Sequence, residues 1–355
     1  MEAVLSLLLV AVALGECLIY SPPLIKSEQS LGVSVQSIRA SGTSTQMRVL
    51  VSHGPSDAAV KLAAFPLAAG QELSAADIFV YTDADYPTAG VAPTVAQGVY
   101  DHLSGELSAR DYAGHVSAIS AAQLPDVLKE VSKAKDRSLV MMTGVMPDTV
   151  FGTKLDLVSP WVQAGGTLAW AGGAMGYWSG TKGQALASAN IVGESGTMRL
   201  LGSGVIQYPT SFGREGTTRS DWASALDVAY KFTGVGVLRN AVASKGGFAF
   251  GWYSGLFSSI SFLPHGSGGY IIFGGEVSDE ASIAVDLTKI LMSHATSSAG
   301  IVAARLVTLT STSSSTSLDW SLPFNLPNGK IVVIAFDPNP DGVFFASETV
   351  PVSAN

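Results

Sequence analysis

Cysteine is almost absent from the 355 residues, with Cys17 the only one. A single thiol excludes an intramolecular disulfide and a thiolate metal cage. Its place in an apolar amino-terminal stretch leaves the globular part without a cysteine nucleophile. Charge is scarce too, at 14% of the residues where about a quarter is usual. Basic residues number 20 against 28 acidic ones, for a net charge of −8. No run of Lys and Arg interleaved with aromatics occurs, so nucleic acid is not an expected partner. The five histidines, His53, His102, His115, His265 and His294, include no pair at i, i+4, so no metal site and no cofactor is expected. The chain also lacks a Gly-x-Ser-x-Gly elbow, since the sequences around Ser179 and Ser254 hold only its Ser-Gly half.

What is present is apolar and small. Hydrophobic residues make up 47% of the chain, enough to build one large or two ordinary domains. Ser, Thr, Ala and Gly fill positions that charges would otherwise take. The first 20 residues, MEAVLSLLLVAVALGECLIY, read as the apolar region of a signal peptide or a membrane anchor, with a core strand or helix as the alternative. Either of the first two readings places the rest outside the cytoplasm, secreted or anchored, with membrane association through residues 3–20.

From residue 77 onward, strand and helix patterns alternate. Residues 77–82 form a short apolar strand ending in Asp83-Ala84-Asp85-Tyr86-Pro87, and Thr94 opens a helix through Leu103. Residues 115–119 read as the next strand, and 126–133 as the next helix. Leu139 to Gly180 then gives strand, loop, helix, Gly-Gly turn, strand and glycine-rich loop, with the helix over 149–158 continuing through Val162. Such alternation predicts a parallel sheet with helices on both faces. Ligands of such sheets bind where loops leave the carboxyl ends of the strands, so loops 144–149 and 172–180 are the first places to look.

The flanks read as β structure. Residues 31–53 alternate as strands, and 181–247 is a looser insertion with one helical pattern at 221–232. Phe248 to Trp252, Ser258 to Leu263 and Tyr270 to Phe273 read as antiparallel strands, followed by a helix over 279–293. Short strands from 301 to 352 point to a small β-sandwich or a sheet extension. The expected organisation is therefore a leader or anchor over 1–20, an amino-terminal β segment over 21–76, an α/β domain over 77–294 and a carboxyl-terminal β domain over 295–355.

The Thr-Gly-x-x-Pro-Asp exit after Met142, the Trp-Val-x-x-Gly-Gly-Thr-Leu of 161–168 and the Gly-Gly-x-x-Gly of 172–176 resemble the class I glutamine amidotransferase-like superfamily. The likeness is to its ThuA-like and β-galactosidase trimerisation-domain-like branch. It covers about 77–180 and 258–293. The fold it implies is α/β, a flavodoxin-like doubly wound, mostly parallel sheet, here with a carboxyl-terminal β-sandwich-like domain. Glutaminases of the superfamily carry a Cys on the turn after the second strand of this unit, because a thiolate attacks the amide. Here that turn reads Ala171-Gly172-Gly173-Ala174-Met175-Gly176, and glutamine hydrolysis is not implied.

Two functions follow as expectations. One is a catalytically silent extracytoplasmic binding or assembly protein of the cell envelope, with an envelope protein or a glycan as partner. The other is an extracellular hydrolase or carbohydrate-processing enzyme. Its catalytic candidates are Asp83 and Asp148, at strand exits, and His265, in a glycine-rich turn. Turn formation at Asp83 and a helix N-cap at Asp148 are the competing structural roles. Ligand-binding candidates are Asp85 and Tyr86, the backbone of Gly172 and Gly173, and the loop Tyr177-Trp178-Ser179, whose rings suit sugar stacking.

Overall fold

The computed structural model describes residues 32–41, 44–52, 58–67, 77–108, 114–203, 207–209, 218–219, 235–253, 257–274, 280–292, 303–309, 315–322, 330–336 and 345–351. The apolar amino-terminal segment and the helix read over 221–232 lie outside the described residues. Among the described residues no helix is long and apolar enough to cross a membrane.

Three strands come first: β1 (Gly32–Ser41), β2 (Ser44–Ser52) and β3 (Ala58–Leu67). The α/β region follows with β4 (Asp77–Tyr81), α1 (Val95–Ser108), β5 (Val116–Ile119), α2 (Leu124–Lys129), β6 (Arg137–Met142) and β7 (Met146–Pro147). It continues through α3 (Val158–Gln163), β8 (Thr167–Ala171), β9 (Trp178–Gly180), β10 (Asn190–Ile191) and α4 (Glu194–Leu201). Next come β11 (Gln207–Pro209), β12 (Thr218–Arg219), β13 (Val235–Leu238), α5 (Arg239–Ser244), β14 (Phe248–Tyr253), β15 (Phe257–His265), β16 (Gly268–Phe273) and α6 (Glu280–Met292). The chain closes with β17 (Ala303–Leu309), β18 (Ser315–Leu322), β19 (Lys330–Phe336) and β20 (Phe345–Pro351).

Five parallel strands form the centre, in the spatial order β5-β4-β6-β8-β16. Numbered by position in the chain, that is 2-1-3-4-5. Each central strand sends alternate side chains to opposite faces, as the period of two requires. Val140, Met142, Ala169, Ala171, Ile271 and Phe273 join one core with α1 and α6. Leu139, Met141, Leu168, Trp170, Tyr270 and Ile272 join the other with α2, α3, α4 and α5. Strands buried on both faces are apolar throughout rather than alternating, which is why 139–142 and 270–273 read as continuous hydrophobic runs. Beyond β16 the sheet turns antiparallel: β15 pairs with β16, β13 and β14 pair with β15, and β11 and β12 extend those two. Part of the region read as an insertion thus lengthens the main sheet, and β16 is parallel to β8 although antiparallel to β15.

The two β segments at the ends of the chain are not separate. β18 pairs with β2 in the sheet β1-β2-β18, while β17 and β19 flank β3 in the sheet β17-β3-β19-β20. Val35, Met47, Val49, Leu62, Leu318, Trp320 and Val333 share one core between these sheets. β3 escapes sequence reading because AAVKLAAFPL has neither alternation nor β-branched enrichment.

The helix expected over 149–158 begins only at Val158. Val150 and Phe151 N–H groups donate to the Pro147 carbonyl, and Leu157 N–H donates back to Val150 O. The segment therefore closes on itself. Asp156, not Asp148, satisfies the helix start: its Oδ1 accepts from the N–H groups of Val158 at 3.0 Å and Ser159 at 2.9 Å, and Ser159 Oγ donates to Oδ2 at 2.7 Å. These groups would otherwise be orphan donors.

Candidate functional site

The order of the parallel strands puts its switch point between β4 and β6, because the chain leaves β4 toward the α1 face and β6 toward the α3 face. A crevice is expected there. Instead, the loop after β4 fills it. Ala89 N–H donates to Thr143 O at 2.9 Å, and Gly173 N–H donates to Ala89 O at 2.7 Å. The approach is close enough that a Cβ on Gly144 would lie 1.8 Å from Ala89 O, and one on Gly172 would lie 2.6 Å from it. Gly144 and Gly172 also have φ of 65° and 103°, values that glycine tolerates and other L-residues resist. The glycines are therefore set by the meeting of three backbones. Gly173 has no free N–H for a ligand, and the Gly172-Gly173 turn is closed by the Ala89 carbonyl.

Beside that plug lies an open polar cluster built from the exits of β4, β5, β7 and β9. Asp83 Oδ2 accepts from Ala121 N–H at 3.1 Å, and Asp83 Oδ1 accepts from Asp85 N–H at 3.2 Å. Asp85 pairs with Lys182 at 2.9 Å, and its carbonyl accepts from Gly183 N–H at 2.7 Å. Asp148 Oδ2 accepts from Thr181 Oγ1 at 2.8 Å, and Asp148 N–H donates to Gly180 O at 2.9 Å. Thr149 Oγ1 donates to Ala121 O at 3.5 Å.

Tyr86 stands among these groups. Loss of hydration raises its phenol above the usual value, and the Asp148 and Asp83 carboxylates add to the rise while Lys182 opposes it. The Asp85 carboxylate raises Lys182 in turn. Tyr81, edge-on to Tyr86 at 6.4 Å, is fully buried with its hydroxyl unpartnered. Burial first, then Asp83, holds that phenol protonated.

The structure thus brings together Asp83, Asp85, Tyr86 and Asp148, and adds Thr181, Lys182 and Thr149, which sequence reading missed. The missed residues lie in turns, with no spacing to single them out. A lysine in the T-K-G turn straight after a strand, in a chain with few basic residues, was the only available signal. His265 does not join the cluster. It pairs with Gly268 at the amino-terminal end of β16, the end opposite Asp83. β4 is five residues long, so the two ends of the sheet are roughly 17 Å apart. His265 Nε2 lies 3.1 Å from Gln163 Nε2, its ring is 5.6 Å from that of Tyr270, and burial lowers its affinity for a proton.

Ser179 is also excluded as a ligand group, since it is buried and its hydroxyl donates to Phe151 O at 2.7 Å. Tyr177 and Trp178 pack on each other with ring centroids 4.7 Å apart, partly buried at the start of β9. Trp170 is a core residue whose Nε1 donates to Gly173 O at 2.8 Å. Among the described residues, no group of three or more His, Cys, Asp and Glu side chains is arranged to hold a metal ion. The cluster presents carboxylates, a phenol, an ammonium and two threonine hydroxyls, a set that exchanges hydrogen bonds with a polyhydroxylated ligand in both directions.

No protein-family model matches the chain, and no curated protein matches it. Solved structures similar to it include the exo-β-1,4-mannosidase Op5Man5 from Opitutaceae bacterium strain TAV5, at 16% identity over 63% of this chain and 35% of that one, with a TM-score of 0.34. A β-galactosidase from Rahnella sp. R3 is 12% identical over 78% of this chain and 41% of that one, with a TM-score of 0.38. A β-galactosidase from Bacillus circulans sp. alkalophilus is 10% identical over 79% and 41%, with a TM-score of 0.37. The chain matches 35% to 41% of the length of these three enzymes.

Proposed function

We propose that this chain is a catalytically silent binding protein. In this reading its α/β region is an amidotransferase-like, flavodoxin-like doubly wound domain, its terminal strands form a β-sandwich-like unit, and the Asp83/Asp85/Tyr86/Asp148 cluster seats a hydroxyl-rich ligand such as a glycan. The observation that carries the reading is the Ala89 carbonyl, bonded to Gly173 N–H at 2.7 Å. It occupies the place where a nucleophile turn and its oxyanion donors would have to stand open. The open cluster beside it holds groups for hydrogen bonding, and the only histidine in the set of candidates is at the far end of the sheet.

The apolar first 20 residues support a site of action outside the cytoplasm, at the cell envelope, with an envelope protein or a glycan as partner. Mass spectrometry of the mature amino terminus tests that placement: a terminus downstream of residue 20 fits secretion, a retained one fits an anchor, and a retained one on a cytoplasmic protein contradicts it.

One observation favours a second reading, a carbohydrate-processing enzyme. Asp83 and Asp148 both act on the Tyr86 phenol, so two carboxylates face one locus, the inventory of a glycosidic mechanism. The two readings separate on one variant pair. Under the binding reading, Asp83→Ala and Asp148→Ala weaken glycan binding and no product forms with any form of the protein. Turnover by the wild type that is lost in both variants selects the enzyme.

A further inference from the structure

A second polar surface lies on the sheet β1-β2-β18 and shares no lining residue with the cluster at the strand exits. The sheet β1-β2-β18 buries Val35, Ile38, Met47, Val49, Leu318 and Trp320 on its inner face. Its outer face is a grid of polar side chains fixed by register. Arg39 stands opposite Gln46, and Gln46 opposite Ser321. In the next row Ser37 stands opposite Arg48, and Arg48 opposite Asp319. An irregularity in β1 between Val35 and Ser37 shifts the register there, and Ser317 Oγ donates to Gln36 Oε1 at 3.2 Å across the strands. These residues line a groove of about 630 Å³, a volume in the range of small-ligand sites.

The charges in the groove are unequal. Arg48 is engaged by Asp319 in a two-pronged contact, Nε to Oδ1 at 2.9 Å and Nη2 to Oδ2 at 3.2 Å. That pairing satisfies the only carboxylate among the described residues that line the groove. Arg39 is exposed and has no partner among the described residues, although the chain as a whole is acidic at −8. A free guanidinium presents a planar fork of donors that matches a carboxylate. Gln36, Gln46, Ser37 and Ser321 surround it with groups that both donate and accept, as sugar hydroxyls require. Met47 and Trp320 line the groove too, but they are 3% and 6% exposed. Among the described residues the groove therefore has no open apolar pocket on which a bound peptide would anchor, and their two arginines are too few for a nucleic-acid backbone.

We propose that the outer face of the β1-β2-β18 sheet binds an acidic oligosaccharide, with the Arg39 guanidinium holding a uronate carboxylate and Gln46, Ser37 and Ser321 bonding the neighbouring hydroxyls. The probe is trigalacturonate, titrated calorimetrically into the full chain at low and moderate salt, with its carboxyl-reduced neutral counterpart as control. Arg39→Ala is an exposed substitution outside the core, and an unchanged circular dichroism spectrum and melting temperature verify its fold. The expected results are Arg39-dependent binding of the acid that the neutral sugar does not share, weakening as salt rises, and about tenfold or greater loss in Arg39→Ala. Gln46→Ala gives a smaller loss. No binding of trigalacturonate, an equal Arg39 dependence for the neutral sugar, or wild-type affinity in Arg39→Ala would each overturn the proposal. Arg39 lies outside the strand-exit cluster, so its effect keeps this outcome separate from that of the cluster.

Discussion

Gly144 sits where three loops meet, and the cost of any side chain there is set by the Ala89 carbonyl rather than by φ alone. Gly144→Ala is expected to destabilise the chain by about 3–5 kcal/mol, since backbone must move to admit the methyl group. Gly183 supplies the control. Its φ is 74° but a Cβ there would meet nothing within 4 Å, so Gly183→Ala carries only the left-handed strain of about 1–2 kcal/mol. Denaturant midpoints of the two variants measure the difference, and equal losses would mean that the loops do not close over the strand ends as described.

The tyrosines give a second residue-scale test. Tyr81, Tyr86 and Tyr270 all have phenols raised above the ordinary 10.0, in each case mainly by burial. Above about pH 10 the unfolded chain releases protons that the folded chain retains, so stability that is intact below that pH falls as pH rises toward the folded-state values. The urea midpoint is expected to drop with pH between about 9 and 11, and to drop less steeply in Tyr81→Phe. At neutral pH the same variant removes an unpartnered buried hydroxyl and is expected to be neutral or slightly stabilising. A loss of stability there would reveal a partner for that oxygen.

At the scale of elements, α3 shows how one carboxylate sets a boundary. Asp156 caps the helix start, holds Ser159 and stands 3.5 Å from Arg199. Arg199 in turn covers the Phe151 ring and donates to the carbonyls of Gly152 and Thr153. Asp156→Ala is expected to cost about 1–2 kcal/mol in thermal or denaturant unfolding, with Asp156→Asn recovering part of it. The apolar periodicity through Leu155, Val158 and Val162 predicts a longer helix, because periodicity cannot register a carbonyl such as that of Pro147 collecting two N–H groups. The buried strands were legible for the opposite reason. Runs such as Leu139 to Met142 are apolar on both faces, and nothing local competes with them. Asp83 and Asp148 were legible as strand exits, whereas Thr181 and Lys182 reach the cluster only through the pairing of β9 with β7.

At the scale of the whole molecule, the two ends of the chain depend on each other. β2 pairs with β18, and β3 lies between β17 and β19. Register between segments so far apart in sequence follows from shared burial and not from any local pattern, so the sequence divides what the fold joins. Removing residues 303–355 is therefore expected to leave β1 to β3 open to proteolysis and the shared core of Val49, Leu62 and Trp320 uncovered. Limited proteolysis that still protects residues 32–67 in the shortened chain would contradict the joint sheets.

The protein's function turns on whether the strand-exit cluster binds without reacting. Nuclear magnetic resonance of the intact chain with a panel of neutral oligosaccharides reads both properties in one sample, saturation transfer for binding and new anomeric signals for cleavage. The expected result is transfer to at least one oligosaccharide, abolished in Asp148→Ala, with no new anomeric signal from any protein form. New anomeric signals that require Asp83 and Asp148 would contradict the silent-site reading, and transfer that survives Asp148→Ala would remove the cluster as the seat.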